Sequence, residues 1–292
     1  MSSKPDIYTT KRRGRITNML FTSACFLATM TCIFLLVLLI WNIIIQGKGW
    51  LSWEFIERLP SRFPDKAGIK TALWGSIWLI SLTAMFSVPL GVGAALYLEE
   101  YAPRSRWRKL IQLNIANLAG VPSIVYGILG LGLFVRALQL ERSVLSGALT
   151  LTLVVLPIII LASQEALRAV PDSIRRSAYA LGATRWQTVW YQVLPASLPG
   201  IMTGVILSLS RALGEAAPLI AVGAMAYVPF VPERLTDEFT ALPIQIFIWT
   251  SRPQEDFHHL AAAGILVLLV VLVSMNAIAI FVRHKYGKKI RW

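Results

Sequence analysis

Apolar residues along this chain gather into six long blocks: Met19–Ile45, Thr71–Leu98, Leu110–Val135, Ser143–Ser163, Ala196–Met225 and Ala261–Val282. Each reaches the roughly 20 residues a helix needs to cross a bilayer. The blocks are continuous rather than alternating, which excludes a β-barrel and predicts helices. Polar stretches separate them. Residues 1–18 read as a flexible tail, and Gln46–Lys70 as an amphipathic loop in which Pro60 and Pro64 limit helix. Tyr101–Lys109 is a short loop. Gln139–Arg142 is so short that the third and fourth blocks should pair as a hairpin. The pattern predicts an all-α membrane protein of six transmembrane helices. Its units are a tail (1–18), a first span (19–45), a core (71–282) and a second tail (283–292).

Composition agrees: 56% of residues are hydrophobic and only 15% charged, whereas a soluble domain carries about 25%. The first block is too long for a cleaved signal peptide and lacks a small-residue cleavage site. Trp41, Trp50 and Trp53 beyond it suit an interfacial belt. Cys25 and Cys32 lie within it and read as small buried apolar residues, not as a disulfide or metal site.

The net charge of +13 could suggest nucleic acid, but its distribution excludes that reading. Eighteen of the 28 Lys and Arg residues, with only five of the 15 acids, fall in the two tails and the loops around Arg104–Lys109 and Arg168–Arg185. The opposite face is balanced. The positive-inside rule then predicts cytoplasmic termini and a cytoplasmic Gln164–Pro195 loop. The long loop Tyr227–Leu260 falls outside. Its His258–His259 pair reads as solvated, since no spaced third metal ligand accompanies it.

The fifth block carries charges at its centre. Arg211 and Glu215 are four residues apart, one helical turn. Each isolated charge at bilayer depth costs about 2.5–3.5 kcal/mol, so such groups face a bundle interior or a polar pathway. The pair reads either as a structural salt bridge or as a transient anion contact, with Arg211 supplying a planar fork of donors. In the third block Pro122 removes a helical hydrogen bond and predicts a kink. Beside it, Ser123 and Tyr126 are candidates to donate to an anion. Pro89, Pro157 and Pro218 read as kinks.

The Gln164–Pro195 loop is too polar to span and carries a helical pattern: Leu167, Val170, Ile174, Ala178 and Leu181 recur every three or four residues. Pro171 and Asp172 mark a helix start, and Gly182 an end or tight turn. A second short helix, Thr184–Val193, should stop at Pro195. Two short helices joined at a glycine would form a docking surface.

Within this loop "AYALGATRWQTVWYQVLPASLPG" resembles the cytoplasmic "EAA" loop of ABC-importer permeases. Ala178, Gly182, Leu194 and Pro195 stand at that pattern's spacing. Arg176 replaces its Glu, Ser177 its first Ala and Gln192 its Ile. "GVPSIVYGILGLGLF" (120–134), "EALRAVPDSIRRSAYALGATRWQT" (165–188), "GIMTGVILSLSRALGEAAPLI" (200–220) and "LPIQIFIW" (242–249) extend the resemblance to the PstA-type phosphate-permease branch, over about residues 70–282. One departure is Leu161, where many relatives carry Arg.

The resemblance implies the type I ABC importer permease fold and half of a phosphate pathway. Arg211, Glu215, Ser123 and Tyr126 would line it, and Ala178, Gly182, Leu194 and Pro195 would dock the ATPase. The implied partners are a second (PstC-type) permease, a PstB-type ATPase dimer and an extracellular PstS-type phosphate-binding protein. The chain contains no Gly-x-x-x-x-Gly-Lys-Ser/Thr loop, catalytic triad or zinc signature. It should therefore bind no cofactor, ATP being hydrolysed by another subunit, and should not itself be an enzyme. Two alternatives stay open: a permease for another oxyanion such as molybdate or sulfate, and a membrane assembly or signalling protein in which Arg211–Glu215 is only structural.

Overall fold

A computed structural model describes residues 7–224 and 227–287, with side chains from residue 18 to residue 285. It is helical throughout; among the described residues the only β-pairing is an isolated Ser143–Glu238 bridge. In chain order the helices are α1 (Ile7–Gly47), α2 (Trp53–Glu57), α3 (Lys70–Leu96), α4 (Arg106–Ala119), α5 (Ser123–Gly130) and α6 (Val144–Arg168). They continue with α7 (Asp172–Ala180), α8 (Arg185–Thr188), α9 (Leu194–Gly214), α10 (Ala217–Val222), α11 (Leu242–Thr250) and α12 (Glu255–Gly287). Five helices are long and apolar enough to cross a membrane, or six if α4 and the segment from Ser123 to Ala137 count as one bent span.

The bundle centres on α6, whose Val144, Ala148, Leu151, Val155 and Ile159 are all buried. It packs against α3 on one side and α9 on another. Helix α1 stands apart, touching the bundle through α12 near its end. Cys25 and Cys32 are consequently exposed, not buried as expected, because among the described residues no other helix covers that length of α1. Backbone helix also extends from Ile7, so much of the expected tail continues α1.

Two expected spans are interrupted. The third turns by 100° between α4 and α5. Pro122 lacks an N–H and biases Val121 out of helical conformation. The Leu118 carbonyl at the bend accepts both the Val121 N–H, at 3.1 Å, and the Tyr126 hydroxyl, at 2.8 Å, which ties α5 to the end of α4. The fifth breaks after Gly214, where Glu215 adopts an extended backbone before α10 begins; Met225, its expected end, lies outside the described residues. Helices α5 and α10 pack closely, and a Cβ on Gly127 would fall 2.6 Å from Ala221 Cβ.

The loop before α12 is only partly polar. Phe239, Leu242, Ile244 and Trp249 are buried, and α11 lies against α3 and α12. The Ser76 hydroxyl accepts the Leu242 N–H at 2.8 Å. His258 and His259 belong to the first turns of α12, with His258 Nε2 2.9 Å from the Arg252 carbonyl oxygen. Asp237 accepts backbone N–H donors from Arg234 and Glu233, both at 2.9 Å, which hold its carboxyl below the usual carboxylate range.

Candidate functional site

The structure separates the expected site residues into two regions. In the first, Arg211 occupies the last turn of α9, where its positive charge also complements the helix dipole. Its Nε lies 3.1 Å from Glu215 Oε1. The pair therefore forms, but at a helix terminus rather than inside a continuous span. Its members differ in exposure: the Arg211 side chain is 53% exposed and that of Glu215 17%. Arg211 shares an open face with Gly200, Leu207 and Gly214. Just off this face, Ser210 is hydrogen-bonded to Asn276 of α12.

Ser123 opens α5 and is partly exposed, whereas Tyr126 is buried with its hydroxyl engaged by Leu118. Among the described residues no hydrogen bond or ion pair joins Ser123 or Tyr126 to Arg211 or Glu215. What links the two breaks is the packing of α5 on α10.

The second region is the α7–α8 end. Gly182 has φ +82°. Its N–H donates to the Tyr179 carbonyl at 2.9 Å, and the Ala183 N–H to that of Ala178 at 3.1 Å. These two bonds form a Schellman closure, which gives the Ala178–Gly182 spacing a physical cause: a left-handed residue must stand four positions beyond the carbonyl that ends the helix. Thr184 and Gln187 then form a capping box that starts α8.

The expected stop at Pro195 does not occur. The chain runs from α8 through a π-helical segment, Val189–Val193, directly into α9. The Leu194 N–H bonds the Val189 carbonyl, five residues back, and Pro195 falls in the first turn of α9, where a proline is tolerated. Leu194 accordingly lines an apolar groove with Val88, Val92 and Met202. Ala178 and Gly182 thus belong to the turn, while Leu194 and Pro195 belong to the root of α9.

Sequence reading missed the charges that hold this end. Glu99 lies in a π-helical continuation of α3, Tyr97–Tyr101, and receives Arg108 at 2.9 Å and Arg168 at 2.6 Å. Glu100, 8% exposed, receives Arg175 of α7 at 2.7 Å. Arg175 also donates to the Val170 and Leu167 carbonyls, at 2.7 and 3.0 Å, capping α6. These groups surround a cavity of about 490 Å3 with Arg104, Tyr179 and Arg185 on its lining. Two adjacent acids ending an apolar block inside an otherwise basic face were the available signal. Their partners, 69 and 75 residues away, were not visible.

A family model for the binding-protein-dependent transport system inner membrane component matches residues 87–288. The chain belongs to that family. Among the relatives of this permease is the phosphate transport system permease protein PstA 1 of Mycobacterium tuberculosis, 32% identical over 278 residues, covering 93% of this chain and 90% of the relative. The PstA protein of Yersinia pestis is 32% identical over 269 residues, covering 90% of each. A probable ABC transporter permease protein of Bacillus subtilis, YqgI, is 31% identical and covers 94% of this chain and 98% of its own. Among solved structures, a bacterial alginate ABC transporter in complex with a pentasaccharide-bound periplasmic protein contains a chain that matches with a TM-score of 0.63 at 17% identity, over 93% of this chain and 94% of that one. The inward-facing MetNI methionine ABC transporter matches at 0.59 and 19% identity, over 75% and 95%. These likenesses carry the fold, and the permease is of the type I ABC importer kind.

The Schellman turn yields a direct test. No atom lies within 4 Å of a Cβ built on Gly182, so a substituent would meet backbone strain rather than a clash. Gly182→Ala should cost about 1 kcal/mol, and Gly182→Val more, because a β-branched residue resists positive φ. Thermal stability of the purified permease should fall in that order. Equal stability of the three proteins would refute the strained-turn assignment.

Proposed function

We propose that this permease imports inorganic phosphate as half of a membrane pathway, driven by an ATPase that binds the α7–α8 end. The supporting observation is Arg211: a permanently charged fork on an open face of α9, held loosely by a carboxylate at a helix break. An anion arriving from a binding protein can take guanidinium donors, and Glu215 can take them back, so that binding does not become a trap. A second permease would cover the open face. Relatives of this chain bear the phosphate-permease name.

In this reading the termini and the α7–α8 end are cytoplasmic, since the excess of Lys and Arg lies there. Single cysteines at Ser173 and Ser251 in a cysteine-free protein should label from opposite sides of the membrane. Labelling of both by an impermeant reagent in intact cells would overturn the orientation. The function itself is tested with proteoliposomes holding the permease, its sister subunit and the ATPase, with the phosphate-binding protein added on the uptake side. ATP-dependent uptake of radiolabelled phosphate, undiminished by excess molybdate or sulfate, is expected. Uptake of either of those anions in its place would refute the assignment.

A further inference from the structure

The arginines at the α7–α8 end divide into two sets. Arg108, Arg168 and Arg175 face carboxylates of this chain. Arg176 and Arg185 are exposed and form no ion pair among the described residues. Helix register explains the division on α7. Arg175 points inward to Glu100 and the end of α6, so Arg176, about 100° further round, points outward with Ser173, Ser177 and Ala180. Immediately beyond lies Leu181, 89% exposed although it fits the apolar repeat of the loop. The Gly182 turn holds it outside the cluster that buries Leu167 and Val170.

An outward cation beside a fully presented leucine, on a turn fixed by two backbone hydrogen bonds and anchored by a buried ion pair, is a preformed surface. The outward face of α7 is formed by Ser173, Arg176, Ser177 and Ala180, with the half-exposed Tyr179 at its margin, so it presents no continuous apolar stripe to lipid tails. We infer that the ATPase receives α7 in a groove with a carboxylate-lined rim facing Arg176 and an apolar pocket for Leu181. This rests on the docking role proposed above and adds the chemistry of the partner: acidic where Arg176 makes this chain basic. A groove with a basic rim would meet Arg176 with like charge and be rejected.

The test uses the whole complex, purified through a tag on the permease, in nanodiscs of neutral or anionic phospholipid, with retained ATPase measured across a salt series. Wild-type retention should fall with salt. Arg176→Glu should reduce it at least tenfold at low salt, and Arg176→Gln by less while flattening the salt dependence. Leu181→Ser should weaken retention without altering the salt slope. Substituting Lys for a rim carboxylate of the ATPase should restore the Arg176→Glu complex. Unchanged or improved retention by Arg176→Glu would overturn the inference, as would an effect that follows the lipid charge while ATPase binding stays constant, which would assign these cations to the membrane surface. A wild-type permease that retains no ATPase would remove the docking role itself, and the inference with it.

Discussion

Arg175→Ala is expected to destabilise the permease by about 3–5 kcal/mol, the range for breaking a buried ion pair by removing one partner. Glu100 would remain nearly covered and uncompensated, and the Val170 and Leu167 carbonyls would lose the guanidinium bonds. Glu100→Ala should cost less, because Arg175 keeps its two carbonyls and Asp172 at 3.3 Å. Replacing both Glu100 and Arg175 with neutral residues of similar size should recover most of the stability, since no buried charge is stranded. The position should also move coupling. Arg175 is the tie between α7 and the end of α3, so ATP hydrolysis in the assembled complex should continue while phosphate uptake per ATP falls. Thermal unfolding of the four proteins, followed by uptake and hydrolysis on whatever assembles, measures both effects. An Arg175→Ala protein within about 1 kcal/mol of wild type, with normal coupling, would show that the pair holds nothing together.

Arg211 and Glu215 give the second large effect, and their unequal exposure sharpens it. If Arg211 only neutralises Glu215, removing both charges should restore what removing one destroys. If Arg211 receives the anion, Arg211→Ala/Glu215→Ala should insert and assemble yet transport poorly. The second outcome is expected, with uptake at least tenfold below wild type in both Arg211→Ala and the double variant. Arg211→Lys keeps the charge but loses the fork, so intermediate uptake is expected. Glu215→Gln should leave Arg211 holding the anion longer, lowering turnover more than assembly. The deciding quantity is phosphate uptake normalised to assembled complex; near wild-type uptake by the double variant would leave only the structural salt bridge.

Local periodicity and charge placement determined much by themselves. The long apolar runs specify membrane helices because a bilayer demands internally satisfied backbone over about 20 residues. Gly182 marks a helix end or tight turn, and Pro122 a kink. The tertiary structure decided what depends on partners distant in sequence. Hydropathy cannot distinguish one long helix from α9 and α10 meeting at an extended Glu215, since both are apolar; the close packing of α5 on α10 supports the broken form. Pro195 looked like a stop because it lacks an N–H, but it falls in the first turn of α9, where the π-helical segment Val189–Val193 runs straight into the helix. Leu181 fits an apolar stripe by spacing, yet the turn at Gly182 leaves it exposed. Glu99 and Glu100 end an apolar block, and only folding brought Arg168 and Arg175 to them, because an ion pair between distant segments is a property of where helices end in space rather than of any local pattern.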